Sequence, residues 1–180
     1  MKTIRIFSTA VLLLIANIAS AQQITSAELQ VTGLTCSMCS QATEKSLKTL
    51  GFIESITPDL NKNVFMIRFK GQQPVNIDMI KKKVQDAGFS IGSLTAVINF
   101  NNVKIDAKGL MVNGTRAYRF INARDKVLNG NVKVNVVDKN FVSASAYKKR
   151  ASQVEDASYS SGYSIINGKK TRVFHFSIQG

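Results

Sequence analysis

Between residues 24 and 99 the spacing of the apolar side chains alternates between two periods, and this alternation constrains the fold more than any other feature of the chain. Ala27-Glu28-Leu29-Gln30-Val31 has the two-residue period of a strand and runs into a loop containing Gly33. From Cys39 to Leu50, residues Ala42, Ser46, Leu47 and Leu50 fall at helical spacing, and Gly51 stops the helix. Ile53 to Leu60 and Val64 to Lys70 are two strands around the turn Asn61-Lys62-Asn63, with Phe65, Ile67 and Phe69 on one face. Val75 to Ala87 returns to the helical period through Ile77, Ile80 and Val84, Gly88 ends it, and Leu94 to Phe100 is a last strand. The predicted order, strand-helix-strand-strand-helix-strand, is the split βαβ arrangement of ferredoxin-like α+β folds.

Residues 100–180 have a different character. Hairpin signals stand at Asn113-Gly114 and Asn167-Gly168. Thr115 to Ile121, Val132 to Val137 and Thr171 to Ile178 suit strands, and one helix is expected from Ser143 to about Val154. This predicts a β-rich second unit with one helix, of the kind that closes into a small oligonucleotide/oligosaccharide-binding (OB-like) barrel. Asn99 to Asn102 marks the expected boundary, giving units 22–99 and 100–180. The charge divides at the same place. Residues 22–99 hold eight Lys+Arg against six Asp+Glu, and residues 100–180 hold fourteen against five.

The N-terminus is read as a secretory signal peptide over residues 1–21. Lys2 and Arg5 form a basic start, an apolar run follows, and Ala19-Ser20-Ala21 supplies the small-x-small cleavage pattern. The run is too short to span a bilayer comfortably, and no later segment is apolar enough to cross one. The expected location is the periplasm or the exterior.

Export bears on the only two cysteines, Cys36 and Cys39. Thiols in an oxidising compartment usually form structural disulfides. A bridge across so short a loop would restrict little of the unfolded chain, so the pair is read as a functional site. The segment Gly33-Leu34-Thr35-Cys36-Ser37-Met38-Cys39 lies between a predicted strand and a predicted helix. The helix N-terminus favours thiolate over thiol. Thiolate is the soft ligand that selects Cu(I) and related ions over Mg or Ca. Four-ligand structural zinc is excluded within one chain by the cysteine count.

This motif, in this element order, resembles the heavy-metal-associated domain, a family that includes copper chaperones, modules of metal-transporting P-type ATPases and periplasmic mercury-binding proteins. The resemblance covers residues 24–99 and none of the second unit. It implies that Cys36 and Cys39 are the metal ligands and that Leu34, where the family commonly has Met, plugs the core beneath the loop. It places Phe89 near the metal loop, to shield the ion or simply to pack in the core. Met38 occupies a variable position of the motif, and Thr35 stands where zinc-selective members tend to carry an acidic residue. Cu(I) is therefore the first choice and Hg(II) the second. The implied partner is a metal donor or acceptor, such as a metal-transporting ATPase or an envelope metalloprotein.

Other residues are assigned structural roles. Met66 and Met79 are expected in the core, as methionines usually are. The single histidine, His175, is read as a structural or surface residue of the last strand. No sequence constellation for nucleophilic catalysis is visible, and the chain is read as a non-enzyme. The rival reading is a thiol–disulfide redox protein, against which stand the missing Trp before the motif, the missing Pro inside it and the element order. A third reading makes the basic second unit an interaction module. Its densest clusters are Lys148-Lys149-Arg150 and Lys169-Lys170-Thr171-Arg172, with Tyr118, Tyr147, Tyr159 and Tyr163 available for stacking. Export argues against nucleic acid as its target.

Overall fold

The structure, a computed structural model, describes residues 23–113 and 115–179. The expected signal peptide, residues 1–21, lies outside the described residues. β1 (Gln23–Thr32), α1 (Ser37–Lys48), β2 (Ile53–Asp59), β3 (Val64–Phe69), α2 (Ile77–Asp86) and β4 (Ser90–Lys104) follow in the expected order. β1 lies between β3 and β4, and β2 pairs with β3, every contact antiparallel. Strict alternation explains β3: Phe65, Ile67 and Phe69 are buried while Met66 and Arg68 face out.

α1 buries Ser40, Thr43 and Leu47, and Leu50 follows just after the helix; the predicted Ala42 is exposed. Thr43 can be fully buried because its hydroxyl donates to the Cys39 carbonyl at 3.1 Å and so has a partner away from water. Asn76 caps α2 by accepting the Met79 N–H at 3.2 Å, and Ile77, Ile80 and Val84 form its buried face.

β4 runs without interruption through the expected boundary. It pairs with β1 as far as Asn99 and with β7 (Val127–Val136) from Thr95 to Lys104, with a bulge between Phe100 and Val103 where Asn102 takes φ +50°. The second half adds β5 (Leu110–Asn113), β6 (Arg116–Phe120), α3 (Ala144–Ala151), α4 (Ala157–Ser161), β8 (Tyr163–Ile166) and β9 (Lys169–Ile178). The strand order is β2-β3-β1-β4-β7-β9-β6-β5, with β8 beside β9. One buried cluster extends from Ile24 on β1 to Phe176 on β9.

Three expectations are corrected. The sheet does not close into an OB-like barrel, because β2 and β5 remain its ends. It curls strongly enough for Phe100 on β4 to meet Phe120 on β6, centroids 6.2 Å apart, although two strands separate them. Among the described residues the second half carries two helices, the extra one being α4, whose five residues are too few to show a period. Met66 and Met79 are about half exposed, since each falls on the outward side of an otherwise well-patterned element.

Candidate metal centre

The cysteine loop is shaped by Gly33 and by the helix that follows. Gly33 takes φ +90°, a conformation that side chains resist, and turns the chain out of β1. A Cβ built there would stand 3.6 Å from the Phe89 ring, so the glycine also lies directly against that aromatic. Leu34 packs on the core beneath the loop.

Cys36 is itself the N-cap of α1. Its backbone is extended and its sulfur accepts the Cys39 N–H at 3.2 Å. The Cys36 carbonyl accepts from the same N–H at 3.1 Å and from Ser40 N–H at 3.3 Å. A sulfur thus takes the place that Ser or Asp usually fills at a helix start. The first turn of α1 carries no acidic residue, so the positive end of the helix faces the sulfurs unopposed.

The two sulfurs meet in a disulfide, with the Cα atoms 5.3 Å apart. Cys36 is exposed, Cys39 half-buried, and Met38 between them is 76% exposed. Beside them lies a shallow cleft walled by Thr35, Ser37 and Ser40 on one side and by Leu60 and Asn63 on the other. The far wall is the β2–β3 turn. Asp59 shapes it by accepting N–H bonds from Asn61 and Lys62, and the Asn63 carbonyl accepts the Val31 N–H at 3.1 Å. Among the described residues no group of three or more His, Cys, Asp or Glu side chains gathers as a metal site. The soft donors at this loop are the two cysteine sulfurs, once reduced, and the exposed thioether of Met38 between them.

The family model of the heavy-metal-associated domain matches residues 28–90. That segment is a heavy-metal-associated domain. Solved structures similar to it include a yeast copper transporter domain determined in apo and Cu(I)-loaded states, 28% identical, spanning 36% of this chain and 88% of that one at a TM-score of 0.33. Apo-CopP from Helicobacter pylori is 27% identical over 37% of this chain and 97% of its own, also at 0.33. The N-terminal domain of a potential copper-translocating P-type ATPase from Bacillus subtilis, in its Cu(I)-loaded state, is 17% identical over 38% of this chain and 85% of its own at 0.35. No curated protein matches the chain.

Outside the heavy-metal-associated domain the structure assembles a polar group for which the sequence gives no motif. His175 is fully buried. Its Nδ1 lies 2.9 Å from Asp138 Oδ1, its backbone N–H donates to Asp138 Oδ2 at 2.8 Å, and its Nε2 lies 3.0 Å from Ser158 Oγ. The Tyr159 ring stands edge-on to the imidazole at 5.0 Å, and Tyr159 donates to the Val137 carbonyl at 2.7 Å. The order serine, histidine, aspartate is that of a nucleophilic relay. Ser158, however, is only 2% exposed, so no substrate reaches its hydroxyl as the chain stands. The group braces α4 against β9 and the end of β7.

The expectation that four tyrosines offer stacking surfaces is corrected. Tyr118 and Tyr159 are buried, the former stacked on Phe176 at 5.2 Å and the latter on Tyr147 at 5.1 Å. Burial pushes the Tyr159 hydroxyl up to about 12. The second half is tied to the heavy-metal-associated domain by Arg172, which donates to Asp78 of α2 at 3.0 Å, and by Arg116, which donates to the Val75 carbonyl at 2.7 Å. Burial alone would raise the Asp78 carboxyl. Hydrogen bonds and charge from Arg172 and then Lys81 outweigh it and hold the group below its ordinary value.

Proposed function

We propose that the chain is an exported metal-binding protein that captures a soft metal ion, Cu(I) before Hg(II), on the thiolates of Cys36 and Cys39. It then passes the ion on by ligand exchange. The observation that carries this reading is the cysteine loop itself: two sulfurs converging at an exposed helix start, backed by Gly33 and Phe89. An external dithiol reduces the disulfide, supplying two electrons and two protons and itself becoming a disulfide. Capture of Cu(I) then releases the thiol protons as two sulfur–metal bonds form. A two-coordinate ion at an exposed loop accepts a third sulfur from an incoming site, after which one of the first two departs. A metal-transporting ATPase or an envelope metalloprotein fits as donor or acceptor. The basic start, apolar run and Ala19-Ser20-Ala21 support export to the periplasm or beyond. Among the described residues no helix is long and apolar enough to cross a membrane.

The disulfide favours one alternative, a periplasmic thiol–disulfide redox role. The two readings separate on protein recovered from its native compartment with its thiols protected. Mass spectrometry finding close to one copper per chain supports carriage. Metal-free protein that turns over in a disulfide-reduction assay, with turnover abolished by Cys36→Ser, supports redox exchange instead.

A further inference from the structure

We infer that the hairpin of β8 and β9 is a docking surface for an anionic lipid membrane. β8 lies off the main path of the sheet and pairs with β9 alone. Its alternation puts Tyr163 and Ile165 outward, 46% and 69% exposed. The register sets Lys170 opposite Ile165, and its ammonium sits 4.9 Å from the centre of the Tyr163 ring. Asn167 and Gly168 close the hairpin in left-handed conformations, and residues 167–170 are all exposed. Lys169 adds a second cation next to the turn.

Among the described residues no carboxylate forms an ion pair with Lys169 or Lys170. No Asp or Glu occurs after Asp156, and Arg172, opposite Tyr163, is already engaged with Asp78. A positive surface calls for an anionic partner. The apolar residues identify which kind. A polyanion in water offers nothing to an exposed isoleucine, whereas the headgroup boundary of a bilayer takes up an aliphatic side chain and favours tyrosine beside it. Lysines on the same tip keep their ammonium groups among lipid phosphates while their stems lie along the apolar surface. The inference is independent of the cysteine site and stands or falls without it.

Vesicle co-sedimentation tests the proposal, using the chain from Gln22, which keeps every described element and removes the apolar N-terminal segment from the measurement. Vesicles of phosphatidylglycerol mixed with phosphatidylcholine are expected to bind the protein, and pure phosphatidylcholine to bind it far less. Lys169→Gln with Lys170→Gln lowers the partition coefficient by about 25-fold, roughly fivefold for each charge. Ile165→Ser lowers it about tenfold while leaving the charge unchanged. Lys104→Gln with Lys126→Gln, removing equal charge elsewhere in the second half, serves as control. Circular dichroism verifies that each variant is folded, and Ile165→Thr replaces any serine variant that is not. Equal loss in the control pair, no effect of Ile165→Ser, or binding to heparin-like polymer without binding to vesicles would each overturn the proposal.

Discussion

Gly33 shows how much of the proposed site rests on a single backbone conformation. Its φ of +90° suits glycine, while the space around it would admit a methyl group, 3.6 Å from Phe89. Gly33→Ala therefore acts through conformation, not crowding, and should cost about 1–2 kcal/mol in denaturant melts. His175 sets a larger cost at one position. His175→Ala would leave the Ser158 hydroxyl without its buried imidazole partner and strip Asp138 of its bond to the imidazole Nδ1, with Arg172 remaining 3.5 Å away. The backbone bond from residue 175 to Asp138 can persist, so the expected loss is about 3 kcal/mol, the scale of breaking one side of a buried polar pair. A loss below about 1 kcal/mol would show that the brace is dispensable. Tyr159 adds a pH signature. Its hydroxyl is raised from 10.0 to about 12, so the stability it contributes is complete below pH 10 and disappears as pH climbs from 10 toward about 12. Tyr159→Phe should flatten the alkaline limb of a thermal melt followed across that range.

At the scale of elements, the contact between α2 and β9 carries the tie between the two halves. Asp78 is held below its ordinary carboxylate value by Arg172 and Lys81 in spite of burial. A depressed carboxyl stabilises the fold above the unfolded-state value near 4 and loses that contribution as pH falls through its lowered value. Asp78→Asn should accordingly remove part of the acid limb of stability. Because Asp78 is partly exposed, with side-chain exposure of 36%, the neutral-pH effect should stay within about 1 kcal/mol. Elements whose information is local were legible in the sequence. The cysteine loop, α2 and β3 each carry their own period, caps or glycine within about a dozen residues. Phe89 was legible only through the family resemblance, and it does lie against Gly33. What was hidden depends on partners far along the chain. Asp138, Ser158 and His175 come together only once β7 and β9 pair and α4 folds over them. Thr43 was missed because its hydroxyl reads as polar, although a local bond to Cys39 lets it be buried. Met66 and Met79 were misassigned because the apolar character of a side chain does not tell which side of a strand or helix it will occupy.

For the whole molecule, β4 is the decisive feature. Its first part completes the sheet of the heavy-metal-associated domain, and residues Thr95 to Phe100 also pair with β7. The two halves thus share a strand and a continuous core, and unfolding should be a single transition by both far-ultraviolet and tyrosine signals. A chain ending at Asn99 keeps both cysteines but leaves one edge of β4 unpaired. It should melt at lower denaturant than the full chain, and an unchanged midpoint would show that the second half contributes nothing to the first. The most direct test of the central claim is an anaerobic titration of the reduced chain with Cu(I) against a competing chelator. One equivalent should bind, binding should vanish after oxidation to the disulfide, and Cys36→Ser with Cys39→Ser should abolish it. Absence of one-to-one binding, or binding that survives both serine substitutions, would contradict the account.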